Sequence, residues 1–319
     1  MSNPNIALLF PGQGSQAVCM GKELAEKYPA AKQTFEEADD ALGYSLSKFC
    51  FEGPEDQLRL TEITQPAILT VSIAALRVLE TQIPKPSYVA GHSLGEYSAH
   101  VASGTFNFVD AVRTVRNRGK YMQEAVPVGV GAMAAILGMD FENVTGVCAD
   151  AAQGQVCSPA NINSPEQVVI SGNTAAVERA TKLADERGAK RAKLLPVSAP
   201  FHCSLMKPAQ DRLEADLNHI KMQKPVYPVA CNVEASLITD DHRARETLVR
   251  QVTGSVKWDQ DMRLLIAHGV EILIEVGPGK VLCGLMRQID RSKTCVNVGD
   301  DASLAKTLEA IGIAAANGR

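Results

Sequence analysis

Residues 89–99 read VAGHSLGEYSA: an apolar, strand-like run stops at Gly91 and a helix-like pattern begins at Leu94. The break is G-x-S-x-G, with a glycine two residues before Ser93 and another two after it. Small residues at those positions let the backbone bend sharply, so the serine stands at the apex of a strand-turn-helix unit, as in a nucleophile elbow. Around it strand-like and helix-like segments alternate, which predicts an α/β architecture. The segment 6–10 reads as a buried strand closed by the turn PGQGSQ, and 87–91 as the strand before the serine. Helices are expected from about 21 to 42, over 65–80, over 108–126 and from about 203 to 220, and 271–279 reads as a strand and tight turn before a final helix-strand-helix run.

Between these lies a stretch with its own order. Strands at 131–139, 156–162, 167–172 and 192–198 alternate with helices at 141–152 and 174–188, with a turn at Asn163-Ser164-Pro165. This βαββαβ sequence is the ferredoxin-like pattern. Residues 129–198 are therefore expected to form a small inserted subdomain, entered at 127–131 and left at 198–200. Residues 1–128 and 199–319 are expected to form the larger α/β body.

The chain has 319 residues, 45% of them hydrophobic and 21% charged, which suffices for a sizeable core. A formal net charge of −4 argues against a nucleic-acid binder. Eight cysteines lie scattered without a C-x-x-C pair, as expected of reduced core residues and not of a zinc site or disulfide framework. The N-terminal residues lack the basic segment of a signal peptide. No apolar stretch approaches the roughly 20 residues needed to span a bilayer. A cytoplasmic protein without membrane partners is the expectation, and the tail 314–319 is expected to fray.

Ser93 is the candidate nucleophile, with the amides of the following helix facing any oxyanion that develops. A serine needs a base, and six histidines are available. His92 leaves the turn in another direction, and His100 lies two turns along the next helix. His219, His242 and His268 sit in polar surroundings. His202, in VSAPFHCSLM, follows a strand end where a loop can present it over the sheet; a structural histidine is the alternative. No carboxylate between 93 and 202 stands out as a third member, which leaves a neutral acceptor to orient it. Arg118 falls on the apolar stripe of Ala111, Val115, Met122 and Ala125. A guanidinium there needs an anion, either a core carboxylate or the carboxylate of a substrate. FPGQGSQ supplies either a second oxyanion donor or a plain turn.

The set LLFPGQGSQ, GHSLGEYSA, RGKYMQEAVP, NINSPEQVVISG, PVSAPFHCSLM and EVGPGKVL resembles the malonyl-CoA:acyl carrier protein transacylases, nearly end to end and in the family's order. The resemblance implies a hydrolase-like α/β body with a parallel sheet, carrying a ferredoxin-like insert. It implies Ser93 as the acylated nucleophile, His202 as its base, and the amides of Gln13 and Leu94 as the oxyanion hole. It further implies Arg118 as the partner of the malonyl carboxylate and the main-chain carbonyl of Gln251 as the group that orients His202. The partners implied are malonyl-CoA and a holo acyl carrier protein, in a ping-pong reaction without metal or redox cofactor. Cys203 departs from the serine that many relatives carry. An esterase or thioesterase, an inert carrier-binding module and an acyltransferase of polyketide assembly are the competing readings.

Overall fold

A computed structural model describes residues 5–197 and 199–312. Ten strands occur among them: β1 (Ile6–Phe10), β2 (Tyr88–Gly91), β3 (Gly131–Leu137), β4 (Cys157–Ser164), β5 (Gln167–Asn173), β6 (Arg191–Leu194), β7 (Val229–Cys231), β8 (Ser236–Ile238), β9 (Ile272–Val276) and β10 (Thr294–Val298). They form two sheets. The larger has the order β10-β9-β1-β2-β7-β8 and is parallel except for β8, which runs antiparallel to β7. All five residues of β1 are buried, as a strand covered on both faces requires.

The smaller sheet has the order β4-β5-β3-β6 and is antiparallel throughout. The helices Phe141–Ala152 and Thr174–Glu186 pack on it over a separate apolar core that includes Ile136, Val144, Ile170 and Val177. Its edge strand β4 is tied to the larger body by backbone bonds, Ile162 N–H to Val256 C=O and Val256 N–H to Ala160 C=O, both 2.8 Å.

The helix Thr61–Leu79 runs through the large core. By length and composition it is long and apolar enough to cross a membrane, against the expectation from sequence, yet 83% of its apolar stretch is buried inside the fold. Other expectations need correction. The helix expected from 21 to 42 is two, Lys22–Lys27 and Pro29–Leu42, because Pro29 has no N–H to continue the first and starts the second. The helix expected from Cys203 to Ile220 is a 3₁₀ turn, Ser204–Met206, followed by Lys207–Asn218. Strand β4 runs through Asn163 and Ser164, so the turn is confined to Pro165 and Glu166. Strand β6 ends at Leu194, short of the expected 198. Ser198, where the insert was expected to end, and the tail 314–319 lie outside the described residues.

Because β1, β2, β7 and β9 are parallel, the turns that leave them open on one edge of the sheet, where open α/β sheets hold their ligands. The turn after β2 needs both of its glycines. A Cβ on Gly91 would lie 1.9 Å from the Gly95 carbonyl, and one on Gly95 would lie 2.0 Å from Phe10 O in β1. The second contact sets how closely the helix Leu94–Ala102 approaches the sheet. Gly95→Ala is expected to force that helix off β1 and lower stability by about 1–3 kcal/mol or more. Urea unfolding measures it, and a wild-type midpoint would contradict the packing argument.

Candidate active site

Ser93 sits between β2 and the helix Leu94–Ala102 with φ 52° and ψ −107°. A non-glycine residue seldom holds such a conformation unless its surroundings enforce it. Asn232 does so from the end of neighbouring β7. Its side-chain oxygen accepts the Ser93 N–H at 2.7 Å, and its amide nitrogen donates to Gly91 C=O at 2.8 Å and to Asp261 Oδ2 at 3.0 Å. One fully buried amide thus grips both sides of the turn.

The Ser93 hydroxyl is 2.7 Å from His202 Nε2. On the far side of the ring, Nδ1 faces two carbonyls, Gln251 O at 2.9 Å and Gly254 O at 3.2 Å. Carbonyls only accept, so the proton is on Nδ1 and Nε2 is free to accept from Ser93. Burial, followed by the positive charge of Arg118, pushes the His202 imidazole down to about 3. It is neutral at neutral pH and able to take a proton.

Arg118 lies on the helix Phe108–Glu124, 2% exposed. Nη1 donates to Gln65 Oε1 at 2.7 Å, and Nη2 donates to Gln251 Oε1 at 2.9 Å and to Ser93 Oγ at 3.1 Å. Its carbon centre lies 5.5 Å from the Tyr97 ring, and Nε has no partner. Burial lowers its pKa. Among the described residues its hydrogen-bond partners are all neutral, and the core carboxyl of Glu96 acts on its charge without a hydrogen bond to it.

Gln65, Ser93, Arg118 and His202 line a cavity of about 210 Å³, together with Gln13, Leu94, Met122 and Leu282 from the body and Met133, Asn161, Asn163 and Val169 from the smaller lobe. The Gln13 side chain accepts from Thr61 Oγ1 at 2.9 Å. Glu275 fixes one wall by accepting the amides of Leu282 and Cys283, at 3.0 and 2.8 Å, at the start of the helix Val281–Ile289. The Cys203 thiol donates to Pro200 O at 3.1 Å, so the residue that departs from serine keeps a polar contact.

Of the remaining histidines, His92 also lines this cavity. His92 Nε2 pairs with Asn163 Oδ1 at 2.8 Å. His100 is fully buried with neither ring nitrogen paired, and burial holds it neutral, down to about 3. His219, His242 and His268 are exposed. Among the described residues no group of three or more His, Cys, Asp or Glu could hold a metal ion.

Sequence reasoning missed Asn232, Gln65, Glu96 and Asp261. Asn232→Ala would leave the Ser93 N–H and the Gly91 carbonyl unpaired, at about 1–3 kcal/mol each. It is expected to lower the denaturant midpoint and slow fluorophosphonate labelling of Ser93. Normal stability with normal labelling would remove Asn232 from this role.

The acyl transferase domain family matches residues 7–310. The malonyl CoA-acyl carrier protein transacylase of Escherichia coli K12 is 50% identical over 304 residues, covering 95% of this chain and 98% of its own. A crystal structure of an acyl carrier protein S-malonyltransferase from Vibrio cholerae superposes with a TM-score of 0.93 at 49% identity, covering 95% of this chain and 99% of that one. A malonyl-transacylase solved in complex with its type II PKS acyl-carrier protein has a TM-score of 0.94 at 47% identity, covering 96% of this chain and 99% of that one. With its serine, histidine and arginine gathered at the open edge of the parallel sheet, this chain belongs to the acyl transferase domain family, among the malonyl CoA-acyl carrier protein transacylases.

Proposed function

We propose that the protein moves a malonyl group from coenzyme A to the phosphopantetheine thiol of an acyl carrier protein through a malonyl-Ser93 ester, in fatty acid synthesis. The observation that carries this is Arg118. A buried guanidinium 3.1 Å from the candidate nucleophile, with only neutral hydrogen-bond partners, is suited to an acyl group that brings its own carboxylate. A general esterase has no use for a cation there.

In the first half-reaction His202 Nε2 takes the Ser93 hydroxyl proton as Oγ attacks the thioester carbonyl. The oxyanion rests on the amides of Gln13 and Leu94. This assignment is supported by the place of both residues on the cavity wall and by the helix start at Leu94. Collapse breaks the carbon–sulfur bond, and the coenzyme A thiolate leaves with the proton from His202. In the second half the carrier thiol gives its proton to His202 and attacks the malonyl ester. Ser93 leaves as alkoxide and recovers the proton. The Gln251 carbonyl holds the Nδ1 proton throughout, so the ring needs no acidic partner. The sequence of steps runs on side chains and amides, without metal or redox cofactor.

We read Ser93 as the apex of a hydrolase-like nucleophile elbow. Residues 129–198 form a ferredoxin-like subdomain within a body of 1–128 and 199–319, a division supported by the strand order and separate core of the smaller lobe. Eight free thiols are consistent with a cytoplasmic setting. A carrier of polyketide assembly is the second reading, favoured by the 47% identical neighbour solved with such a carrier; comparing kcat/KM for the two holo carriers separates them.

Intact mass after mixing with malonyl-CoA is expected to show one malonyl adduct, lost in Ser93→Ala. Arg118→Ala is expected to cut malonylation by a factor that corresponds to about 1.5–3 kcal/mol while acetylation from acetyl-CoA persists. Arg118→Lys is not expected to restore it, because the planar fork is lost. Equal losses for both acyl groups would make Arg118 structural.

His202→Ala is expected to slow acylation by about 10²–10⁴-fold. The depressed histidine also fixes a pH profile. Its folded value lies below 6.5, so the base stays unprotonated as pH falls through that point, and the wild-type acylation rate should hold there and drop only in more acid solution. A rate that halves near 6.5 would show a solvent-exposed histidine acting instead.

A further inference from the structure

Behind Arg118 lies a buried acid that the transfer steps do not use. Glu96, in the first turn of the helix Leu94–Ala102, is fully buried. Its Oε2 accepts the Gln251 side-chain amide at 2.6 Å and the Asn232 N–H at 3.2 Å, and its Oε1 has no partner. The same Gln251 side chain turns its oxygen to Arg118 Nη2 at 2.9 Å. A neutral amide therefore stands between the carboxyl and the guanidinium, with its NH₂ on the acid and its oxygen on the cation. A carboxylate in direct contact would pair with Arg118 and would have to be displaced by any substrate anion. The amide prevents that contact but leaves the two charges one side chain apart, where they still act on each other.

We propose that Gln251 and Glu96 set the preference for acyl groups that carry a carboxylate: the Gln251 side chain keeps Arg118 free for the substrate anion, and Glu96 takes up a proton as that anion arrives. This rests on the reading of Arg118 as the carboxylate clamp. Neither the Gln251 side chain nor Glu96 takes part in bond making, so both are positioning residues.

Two anions flanking one guanidinium in a dry interior repel, and protonating one of them relieves the repulsion. The ionisable groups facing Glu96 are Arg118 from the helix Phe108–Glu124, Cys231 from β7, Asp261 from the helix Trp258–Ala267, and Tyr97 beside it. Burial, then the charge of Glu96, holds Asp261 well above the usual carboxylate range. Burial likewise raises the Cys231 thiol and the Tyr97 phenol. Burial raises Glu96 to about 7, against the pull of the Gln251 amide, the Asn232 N–H and Arg118, so Glu96 is poised to exchange its proton near neutrality.

The sign follows by linkage. A substrate carboxylate raises the Glu96 value further, so the malonyl-bound enzyme holds more protons than the free enzyme near pH 7. Malonyl binding must then weaken as pH rises through that point. The test uses wild-type enzyme in weak buffer with a pH indicator, acylated in turn by malonyl-CoA and acetyl-CoA. Both release the same thiol and carry the same phosphates, so these cancel. Malonylation is expected to take up an extra fraction of a proton per enzyme near pH 7. In parallel, KM for malonyl-CoA should rise about 5-fold or more between about pH 6 and 8.5 while that for acetyl-CoA stays level. Glu96→Gln, which keeps an oxygen towards Gln251, should flatten the malonyl trend. Equal proton counts for the two thioesters overturn the proposal, whether or not the Glu96→Gln protein folds. Arg118→Ala separates the two readings. Selective malonyl loss together with equal wild-type proton counts leaves the clamp and removes the relay. Equal losses of both acyl groups remove both.

Discussion

A serine held at φ 52° between a strand and a helix stores on the order of 1–3 kcal/mol of backbone strain, and the site depends on keeping it there. Two kinds of contact do so. Gly91 and Gly95 let the backbone of the turn close on itself and on β1, with no room for a Cβ at either position. Asn232 then takes one hydrogen bond from the Ser93 amide and gives one to the Gly91 carbonyl. The parallel order of β1, β2 and β7 makes this possible, because the ends of all three strands open on one edge. The fold thus fixes the oxygen of Ser93 before any side chain with catalytic chemistry is considered.

Around that oxygen the electrostatics are arranged by burial and not by ion pairing. His202 is kept neutral by desolvation and by the neighbouring guanidinium, and its tautomer is set by two backbone carbonyls. Arg118 is cationic but surrounded by amides, a hydroxyl and an aromatic ring. A buried charge whose direct partners are all neutral, with Glu96 held one side chain away, is costly, and the cost falls when a carboxylate enters. The resting protein is thus electrostatically incomplete at the point where the proposed substrate supplies the missing charge.

Much of this was legible in the sequence because its signals are local. The glycines flanking Ser93 are two residues away from it, and Arg118 stands out against the apolar stripe of its own helix. His202 is singled out by its loop, with a structural role as the alternative; the resemblance implies a base, and its Nε2 lies 2.7 Å from the Ser93 hydroxyl. The residues that were missed act across the sheet. Asn232 is 139 positions from Ser93, and Gln251 reaches Glu96 over 155. Strands β7 and β8 have three residues each, too few for a period-2 pattern to register. Gln65 follows Thr61, Glu62 and Thr64 at the start of its helix, where one more polar side chain does not stand out as a partner. Resemblance pointed to the Gln251 carbonyl, but nothing along the chain distinguishes what its side chain does.

The cavity wall is shared between two separately built parts. The reacting oxygen, the histidine and the guanidinium come from the body, whereas Met133, Asn161, Asn163 and Val169 come from strands of the smaller sheet, and Met133 and Val169 pack into the body's core. The two parts meet through the backbone bonds at Val256 and through side chains, His92 with Asn163 at 2.8 Å and Gln288 with Ser164 at 2.9 Å. A change at Met133 or Val169 alters the chamber without a hydrogen bond to Ser93, His202 or Arg118 being lost, whereas one at Asn163 also frees His92, so the size of the acyl space and its chemistry are separable at some wall positions and joined at others.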